Sequence, residues 1–263
     1  MGQVILPALI PDIRRIYDVY FSAFEHDLMG QIMLKILFPG AQITDDEFRK
    51  GHAAGTLQYW HSSDNQYTLK CVDTSTGEII GMGLGDVYLR ERSPEERKNH
   101  GVPWLEGEHR ERAEKVLNPL WEMRERFFGG RPYISMQCNV ASRDVEIDKN
   151  LDCHVIAVDP QHQGRKAGQL LVQWGMQMGE LAGLPLYFES SPSTVNLYKK
   201  MGFELLPEKI VHKAEVLGTE KDIEVPLMVK MPSVAGGVTF QEWRQKGYPG
   251  FSKDALPVPV AAV

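Results

Sequence analysis

Hydrophobic residues in the first third of the chain recur mostly at helical spacing. After Pro11–Asp12, apolar side chains follow one another every three or four positions, which predicts an amphipathic helix through Phe24. Residues 28–60 predict further helix, interrupted at Pro39–Gly40 and restarted near Thr44–Asp45. Strand-like runs are predicted at Val4–Leu6, Tyr67–Val72 and Ile79–Tyr88, the last two joined by the polar turn Asp73–Gly77.

Dense charge and helical apolar spacing coincide in the middle of the chain. Between residues 90 and 130, Arg and Glu surround an apolar series formed by Ala113, Val116, Leu117, Leu120, Trp121 and Phe128. This pattern predicts a charged amphipathic helix with a kink at Pro119. Its charged side is either a solvated face or part of a lid over an acceptor pocket, and the sequence leaves both open. Tyr133–Val140 predicts an additional strand.

A strand, a turn and a helix follow one another between Leu151 and Leu181. Leu151–Val158 contains β-favouring residues, Pro160 ends the strand, and Leu171, Trp174, Met178 and Leu181 keep helical spacing. The first amides of a helix lack internal partners and carry partial positive charge, so the turn Gly164–Gly168 predicts an anion cradle. Arg165 and Lys166 add positive charge beside it. A plain connection between strand and helix is the alternative interpretation.

The spacing in this turn excludes two common phosphate motifs. Neither G-x-x-x-x-G-K-[ST] nor G-x-G-x-x-G is present. The turn resembles instead the acyl-CoA pyrophosphate motif of the GNAT superfamily of N-acyltransferases, [QR]-x-x-G-x-[GA], with Gln163 and Gly168 at its ends. Lys166 departs from the pattern, since the family has glycine there; if the position needs positive φ, lysine is strained by roughly 1 kcal/mol.

A second motif strengthens this resemblance. Leu197–Phe203 (LYKKMGF) resembles the family's LYxKxGF helix end, and Gly202 suits the position just beyond a helix. The motifs cover roughly Leu151–Leu205, with a predicted strand at Leu184–Glu189 between them. The resemblance implies an α/β fold with a GNAT-like mixed central sheet flanked by helices and a helical insertion before the cofactor-binding strand. It divides the chain into an acetyltransferase domain at 1–232, with an insertion at about 90–150, and a partly irregular extension at 233–263.

The resemblance also implies the residues that hold acetyl-CoA. It places the oxyanion donor at the backbone N–H near Ile156 and a pantetheine hydrogen bond at Val158. The full set of predicted cofactor-binding residues is Ile156, Ala157, Val158, Gln163, Gly164, Arg165, Lys166, Ala167, Gly168, Gln169 and Asn196.

Three side chains are the predicted catalytic residues. Alternation along Leu151–Val158 puts Asp152 and His154 on one face, where either could accept the amine proton directly or through water. Tyr198 matches the family's thiolate-protonating tyrosine. The alternatives are a buried structural carboxylate, an ordinary strand histidine and a packed helix tyrosine. Cys153 alternates to the opposite face, which favours direct transfer without an acyl-enzyme.

Composition narrows the function further. The 263 residues carry a formal charge of −6 and an isoelectric point near 5.8, so nucleic acid is not an expected partner. Three cysteines, Cys71, Cys138 and Cys153, lack C-x-x-C spacing and predict reduced thiols, no metal site and a cytoplasmic location. Nothing in the sequence predicts a membrane span.

The sequence therefore predicts an acetyl-CoA-dependent N-acetyltransferase acting directly on an amine. The acidic balance, including Glu189 and Asp152, favours a small cationic amine as acceptor. An inactive CoA-binding module of the same fold and an α/β domain without cofactor are the alternatives. Oligomeric state is not indicated.

Overall fold

The computed structural model describes residues 2–136 and 155–250 as a mixed α/β structure. Eight strands form one sheet, and helices cover both faces. The strands are β1 (Gln3–Pro7), β2 (Gln66–Asp73), β3 (Ile79–Tyr88), β4 (Tyr133–Met136), β5 (Val155–Val158), β6 (Leu186–Glu189), β7 (Glu204–His212) and β8 (Ile223–Lys230). The helices are α1 (Ile13–Glu25), α2 (Leu28–Leu37), α3 (Asp46–Ser62), α4 (Gly107–Phe127), α5 (Ala167–Ala182), α6 (Val195–Lys200), α7 (Ala214–Leu217) and α8 (Phe240–Gln245).

The sheet runs in the order β1-β2-β3-β4-β6-β8-β7, with β5 pairing to β3 beside β4. The pair β4–β6 is parallel, whereas the other described pairs are antiparallel. This mixed sheet confirms the predicted fold class. The hairpin β2–β3 and the break between α2 and α3 also fall where the hydrophobic pattern predicted them.

Each face of the sheet has its own hydrophobic core. On one face, α1, α2, α4 and α8 bury a large aromatic and aliphatic cluster that includes Phe21, Phe127 and Tyr187. On the other face, α5 and α6 pack on a smaller cluster around Leu171 and Phe188. Alternating side chains of each strand supply both clusters, as a sheet covered on both faces requires.

Two strands that are distant in sequence form one line beside β3. Met136 pairs with Gly85, and Val155 pairs with the adjacent Leu84. Side-chain alternation continues through the junction, because Met136 faces the α5 core, Val155 the α1 core and Ile156 the α5 core again. The strand predicted at Tyr133–Val140 is present as β4 over Tyr133–Met136, and it forms the first half of a line that ends in β5, which the sequence did not indicate.

The predicted middle helix is present as α4. It buries Ala113, Val116, Leu117 and Leu120 and continues through Pro119. Its placement before β5 agrees with the predicted insertion, while the kink at Pro119 stays a prediction. After residue 233 the chain forms a short turn and α8, whose Phe240 and Trp243 are buried in the α1-side core. The domain boundary at residue 232 also stays a prediction.

Candidate active site

A cavity of about 550 Å³ opens where β5 and β6 separate. β4 still pairs with β6, through Ile134–Leu186 and Ser135–Tyr187. β5 continues the line of β4 along β3, but no pairing joins β5 to β6 in the described structure. The two strands therefore diverge beyond Ser135–Tyr187, and the cavity occupies the space between them.

The free edge of β5 turns two backbone amides toward this gap. Asp159 N–H donates to the Ile80 carbonyl of β3 at 3.0 Å. Because successive amides of a strand point to opposite sides, the N–H groups of Ile156 and Val158 point away from β3. These are the two predicted backbone donors. The Gln163 side chain reaches the same edge, with Nε2 at 3.5 Å from the Val158 carbonyl oxygen.

The turn after β5 ends in a left-handed residue at the start of α5. Lys166 has φ 69° and ψ 10° and is the N-cap of the helix, which begins at Ala167. It is one of two non-glycine residues with positive φ in the described chain. Glycine adopts this left-handed conformation without strain, which explains why the family has glycine at this position. Lysine has a Cβ and is strained in the same conformation. Ala167, Gly168 and Gln169 then form the first turn, whose amides have no partners within the helix.

Ion pairs surround the turn. The Arg165 guanidinium binds the Asp73 carboxylate and contacts His162 Nδ1 at 2.9 Å. Arg165 holds the pKa of Asp73 at about 2, below its usual range, by hydrogen bonding to the carboxylate. Arg15 similarly binds Asp159 at 2.9 Å. Of the two positive charges that the sequence placed beside the anion cradle, that of Arg165 is therefore balanced by a carboxylate of the protein.

Tyr198 lines the opposite side of the cavity. Its ring stacks on Phe188, with centroids 5.3 Å apart and an interplanar angle of 3°. Burial raises the pKa of the phenol, against the opposing effect of a hydrogen bond with Thr194. The side chain is thus fixed in orientation and retains its proton at neutral pH, two properties required of a general acid.

The remaining walls come from segments that the sequence did not indicate. The α1–α2 junction contributes a largely apolar wall containing Phe24, Met29 and Met33, and the loop after β6 contributes hydroxyl groups. Asp27 and Glu189 are the acidic residues of the lining, and no Lys, Arg or His belongs to it among the described residues. Neither the α1–α2 junction nor the loop after β6 contains a recognisable sequence motif. Both reach β5 through long-range packing, which hydrophobic periodicity does not predict.

The predicted site residues fall into three groups. Ile156, Ala157, Val158, Gln163 and Tyr198 line the cavity together. Six residues of the turn and helix start lie beyond the described lining, as does the exposed Asn196 on α6; the six are Gly164, Arg165, Lys166, Ala167, Gly168 and Gln169. The two predicted bases, Asp152 and His154, and the thiol of Cys153 lie outside the described residues.

This chain shares a third of the aligned residues with a probable acyltransferase over almost the whole length of that protein. A probable acyltransferase, SID5 of Ajellomyces capsulatus, is 33% identical over 160 residues, which cover 61% of this chain and 99% of that protein. The model of the acetyltransferase (GNAT) domain matches residues 135–205, the segment that contains the turn, α5 and Tyr198. The chain belongs to the GNAT superfamily of acyl-CoA N-acyltransferases.

Solved GNAT structures share the fold at low sequence identity. A histone acetyltransferase HPA2 and related acetyltransferase from Corynebacterium glutamicum has a TM-score of 0.51 at 17% identity, covering 88% of this chain and 97% of that one. A mosquito arylalkylamine N-acetyltransferase like 5b has a TM-score of 0.52 at 14% identity, covering 88% and 100%. These similarities support the GNAT fold of the sheet and its flanking helices.

Within residues 2–136 and 155–250, no three His, Cys, Asp or Glu side chains are grouped so as to hold a metal ion. None of the helices in those ranges is long and apolar enough to cross a membrane.

Proposed function

We propose that the protein transfers an acetyl group from acetyl-CoA directly to the amine of a small molecule. One observation carries the proposal: a single cavity is bordered by the edge of β5 that presents the Ile156 and Val158 amides and, across the gap, by Tyr198. Acyl transfer needs an oxyanion donor and a proton source for the departing thiolate, and these groups lie on opposite walls.

Acetyl-CoA would lie along the gap from the turn toward the β4–β6 pair. The first amides of α5 would hold the pyrophosphate, and the Val158 N–H would bind the pantetheine. Ile156 N–H would then face the thioester oxygen. Arg165 would contribute to phosphate binding only through a guanidinium that already binds Asp73.

The closed end of the gap favours a short acyl group. β4 and β6 are hydrogen-bonded through Ser135 and Tyr187, and Met136 lines the cavity beside this closure. An acyl chain that continues in the direction of the pantetheine meets this paired region two positions from Val155 along the line of β4 and β5. A short acyl group such as acetyl would end before this pairing, whereas a long chain would have to turn out of the sheet.

Direct transfer is favoured over a covalent intermediate. Ser190, Ser191 and Ser193 line the cavity, but a serine nucleophile is activated by a hydrogen bond to a base, and the described hydrogen bonds of these hydroxyls join them to other groups of the same loop. Ser190 Oγ instead lies 2.9 Å from both the Ser191 carbonyl oxygen and Thr194 Oγ1. The amine proton would pass to Asp152 or His154, which we retain as the proposed bases, and Tyr198 would protonate the thiolate.

The acceptor proposed here is a small cationic amine. Asp27 and Glu189 give the described lining an acidic character without a basic side chain. Such a wall attracts an ammonium group and disfavours an acidic acceptor.

The cysteine pattern also supports a cytoplasmic location.

A thiol-release assay tests the proposal. Purified protein is incubated with acetyl-CoA and a panel of polyamines, amino sugars, alkyl amines and aryl amines, and free CoA is measured. We expect saturable, amine-dependent release for at least one cationic class. Acetyl-CoA binding by calorimetry without release for any amine would instead favour a CoA-binding module, the second candidate, for which the departure at Lys166 is the supporting observation.

A further inference from the structure

A buried ion pair lies directly behind the wall of the cavity. Arg124 of α4 donates from Nε to Glu189 Oε1 at 3.1 Å, and the two side chains are 2% and 4% exposed. Glu189 belongs to the cavity lining and Arg124 does not. Of the two partners, the negatively charged residue is therefore the one that borders the cavity.

The sheet register places Glu189 level with the point of acyl transfer. Tyr187 pairs with Ser135, so Glu189 lies two residues beyond the last pair on its strand. Val155 lies two positions beyond Ser135 on the other side of the gap, because β4 and β5 form one line. Val155 and Tyr187 belong to the core on the α1 face of the sheet, and strand alternation puts the Glu189 side chain on the same face as Tyr187. The α1–α2 wall borders the cavity on this face.

Arg124 provides the positive charge that stabilises the buried carboxylate of Glu189. An isolated buried carboxylate takes up a proton rather than remain ionised, whereas a guanidinium at hydrogen-bond distance keeps it charged. The charge of Glu189 acts on its surroundings: together with burial it raises the pKa of Tyr187, and it opposes the lowering that burial imposes on the pKa of His212.

We propose that Glu189 recognises the ammonium group of the acceptor and that Arg124, supplied by α4, is the positioning residue that keeps Glu189 ionised and correctly aimed. This inference rests on the proposed function. It gives α4 a role beyond a solvated face, since its buried side reaches the transfer point from behind. It also predicts that the enzyme prefers cationic over neutral amines of similar shape.

The test compares two acceptors in each variant at pH 7. One is the best cationic amine of the panel, and the other is aniline, which is neutral at this pH. For Glu189→Gln we expect kcat/KM for the cationic amine to fall about 10- to 100-fold, mainly through KM, because a hydrogen bond between charged groups is lost. The KM for acetyl-CoA should change less than about twofold, and kcat/KM for aniline should fall much less than kcat/KM for the cationic amine.

Variants of Arg124 separate positioning from simple structural support. Glu189→Gln removes the carboxylate that faces a buried guanidinium, so the double variant Arg124→Gln/Glu189→Gln, in which both charges are removed, is compared with it after its folding has been checked by circular dichroism. It should lose the same preference for the cationic amine. Arg124→Lys keeps a positive charge and should restore part of the preference that Arg124→Gln loses.

Glu208→Gln is the matched control. Glu208 binds Arg244 at 2.8 Å, with side chains 20% and 18% exposed, and lies outside the cavity lining. Its removal should leave the ratio of cationic to neutral rates unchanged. An unchanged ratio in the folded double variant overturns the inference while leaving the proposed function intact. If wild-type protein acetylates no amine, the proposed function fails and the inference fails with it.

Discussion

Met136 and Val155 pair with adjacent residues of β3, Gly85 and Leu84, although residues 137–154 separate them in sequence. One strand line is thus built from two pieces of chain. The junction between β4 and β5 lies beside the end of the β4–β6 pairing, where the cavity begins. Residues 137–154 lie outside the described structure, and they include both predicted bases, Asp152 and His154.

The first prediction concerns the start of α5. Gly168 lies in its first turn, and a Cβ there would meet Val158 and Ile156 Cγ2 at 3.6 and 3.8 Å, which are ordinary contacts. Gly168→Ala should therefore bind acetyl-CoA nearly as well as wild type. Gly168→Asp places negative charge against the pyrophosphate and should weaken binding by about 2 kcal/mol or more. Calorimetric titration measures the acetyl-CoA affinity of both variants. If Gly168→Asp bound acetyl-CoA as tightly as wild type, the pyrophosphate would not bind at this turn.

The second prediction concerns Lys166. Its positive φ costs roughly 1 kcal/mol for a residue with Cβ, and glycine removes that cost while adding freedom to the unfolded chain. Lys166→Gly should therefore leave the free energy of unfolding unchanged or raise it by up to about 1 kcal/mol in urea. The control is Lys115→Gly in the exposed side of α4, which should lose about 1 kcal/mol.

The same Lys166→Gly variant also reports on the cofactor. A marked loss of CoA affinity with intact stability would show that the ammonium group contacts a phosphate. Unchanged affinity would show that only the backbone amides of the turn are used.

The sequence predicted the parts of this protein that depend on local spacing. The helix through Phe24, the hairpin of β2 and β3, and the turn before α5 each follow from periodicity or from residues with special backbone preferences. It did not indicate that β4 and β5 lie in one line, because that arrangement depends on how each of them pairs with β3. Nor did it indicate Met33 or Arg124 beside the site, since burial on one helix face looks the same whatever lies opposite.

The third prediction concerns His52. Its ring packs among Tyr17, Phe21, Phe38 and Phe48, and burial lowers its pKa from 6.5 to about 3. Between pH 6.5 and about 3, His52 is therefore protonated in the unfolded chain but neutral in the folded protein. Stability should fall as pH drops below about 6.5, by up to about 1.4 kcal/mol per pH unit from this group, and should not depend on His52 above that pH.

His52→Phe keeps an aromatic ring in the cluster and removes the titration. Urea unfolding between pH 7 and 4.5 should give a shallower slope for the variant than for wild type. His212, whose pKa burial also lowers, contributes in the same direction and accounts for a residual slope. Identical slopes would mean that His52 is exposed to water or gains a partner on protonation.

The last prediction concerns Tyr198, whose phenol is proposed to protonate the CoA thiolate. The ring is fixed by stacking on Phe188, and burial keeps the phenol protonated at neutral pH. Tyr198→Phe retains the ring and its packing but removes the proton, so acetyl-CoA affinity and stability should hardly change. Turnover should fall about 10- to 10³-fold, less than for an essential nucleophile, because water can deliver the proton.

Thr194→Val is the matched control for that experiment, since it removes the hydroxyl that hydrogen-bonds the phenol and leaves the proton in place. Its turnover should stay within a few-fold of wild type. A pre-steady-state measurement of thiol release would locate the defect of Tyr198→Phe in collapse of the tetrahedral intermediate rather than in amine binding. Full turnover in Tyr198→Phe, with acetyl-CoA still bound, would make the tyrosine a packing residue and leave protonation of the thiolate to solvent.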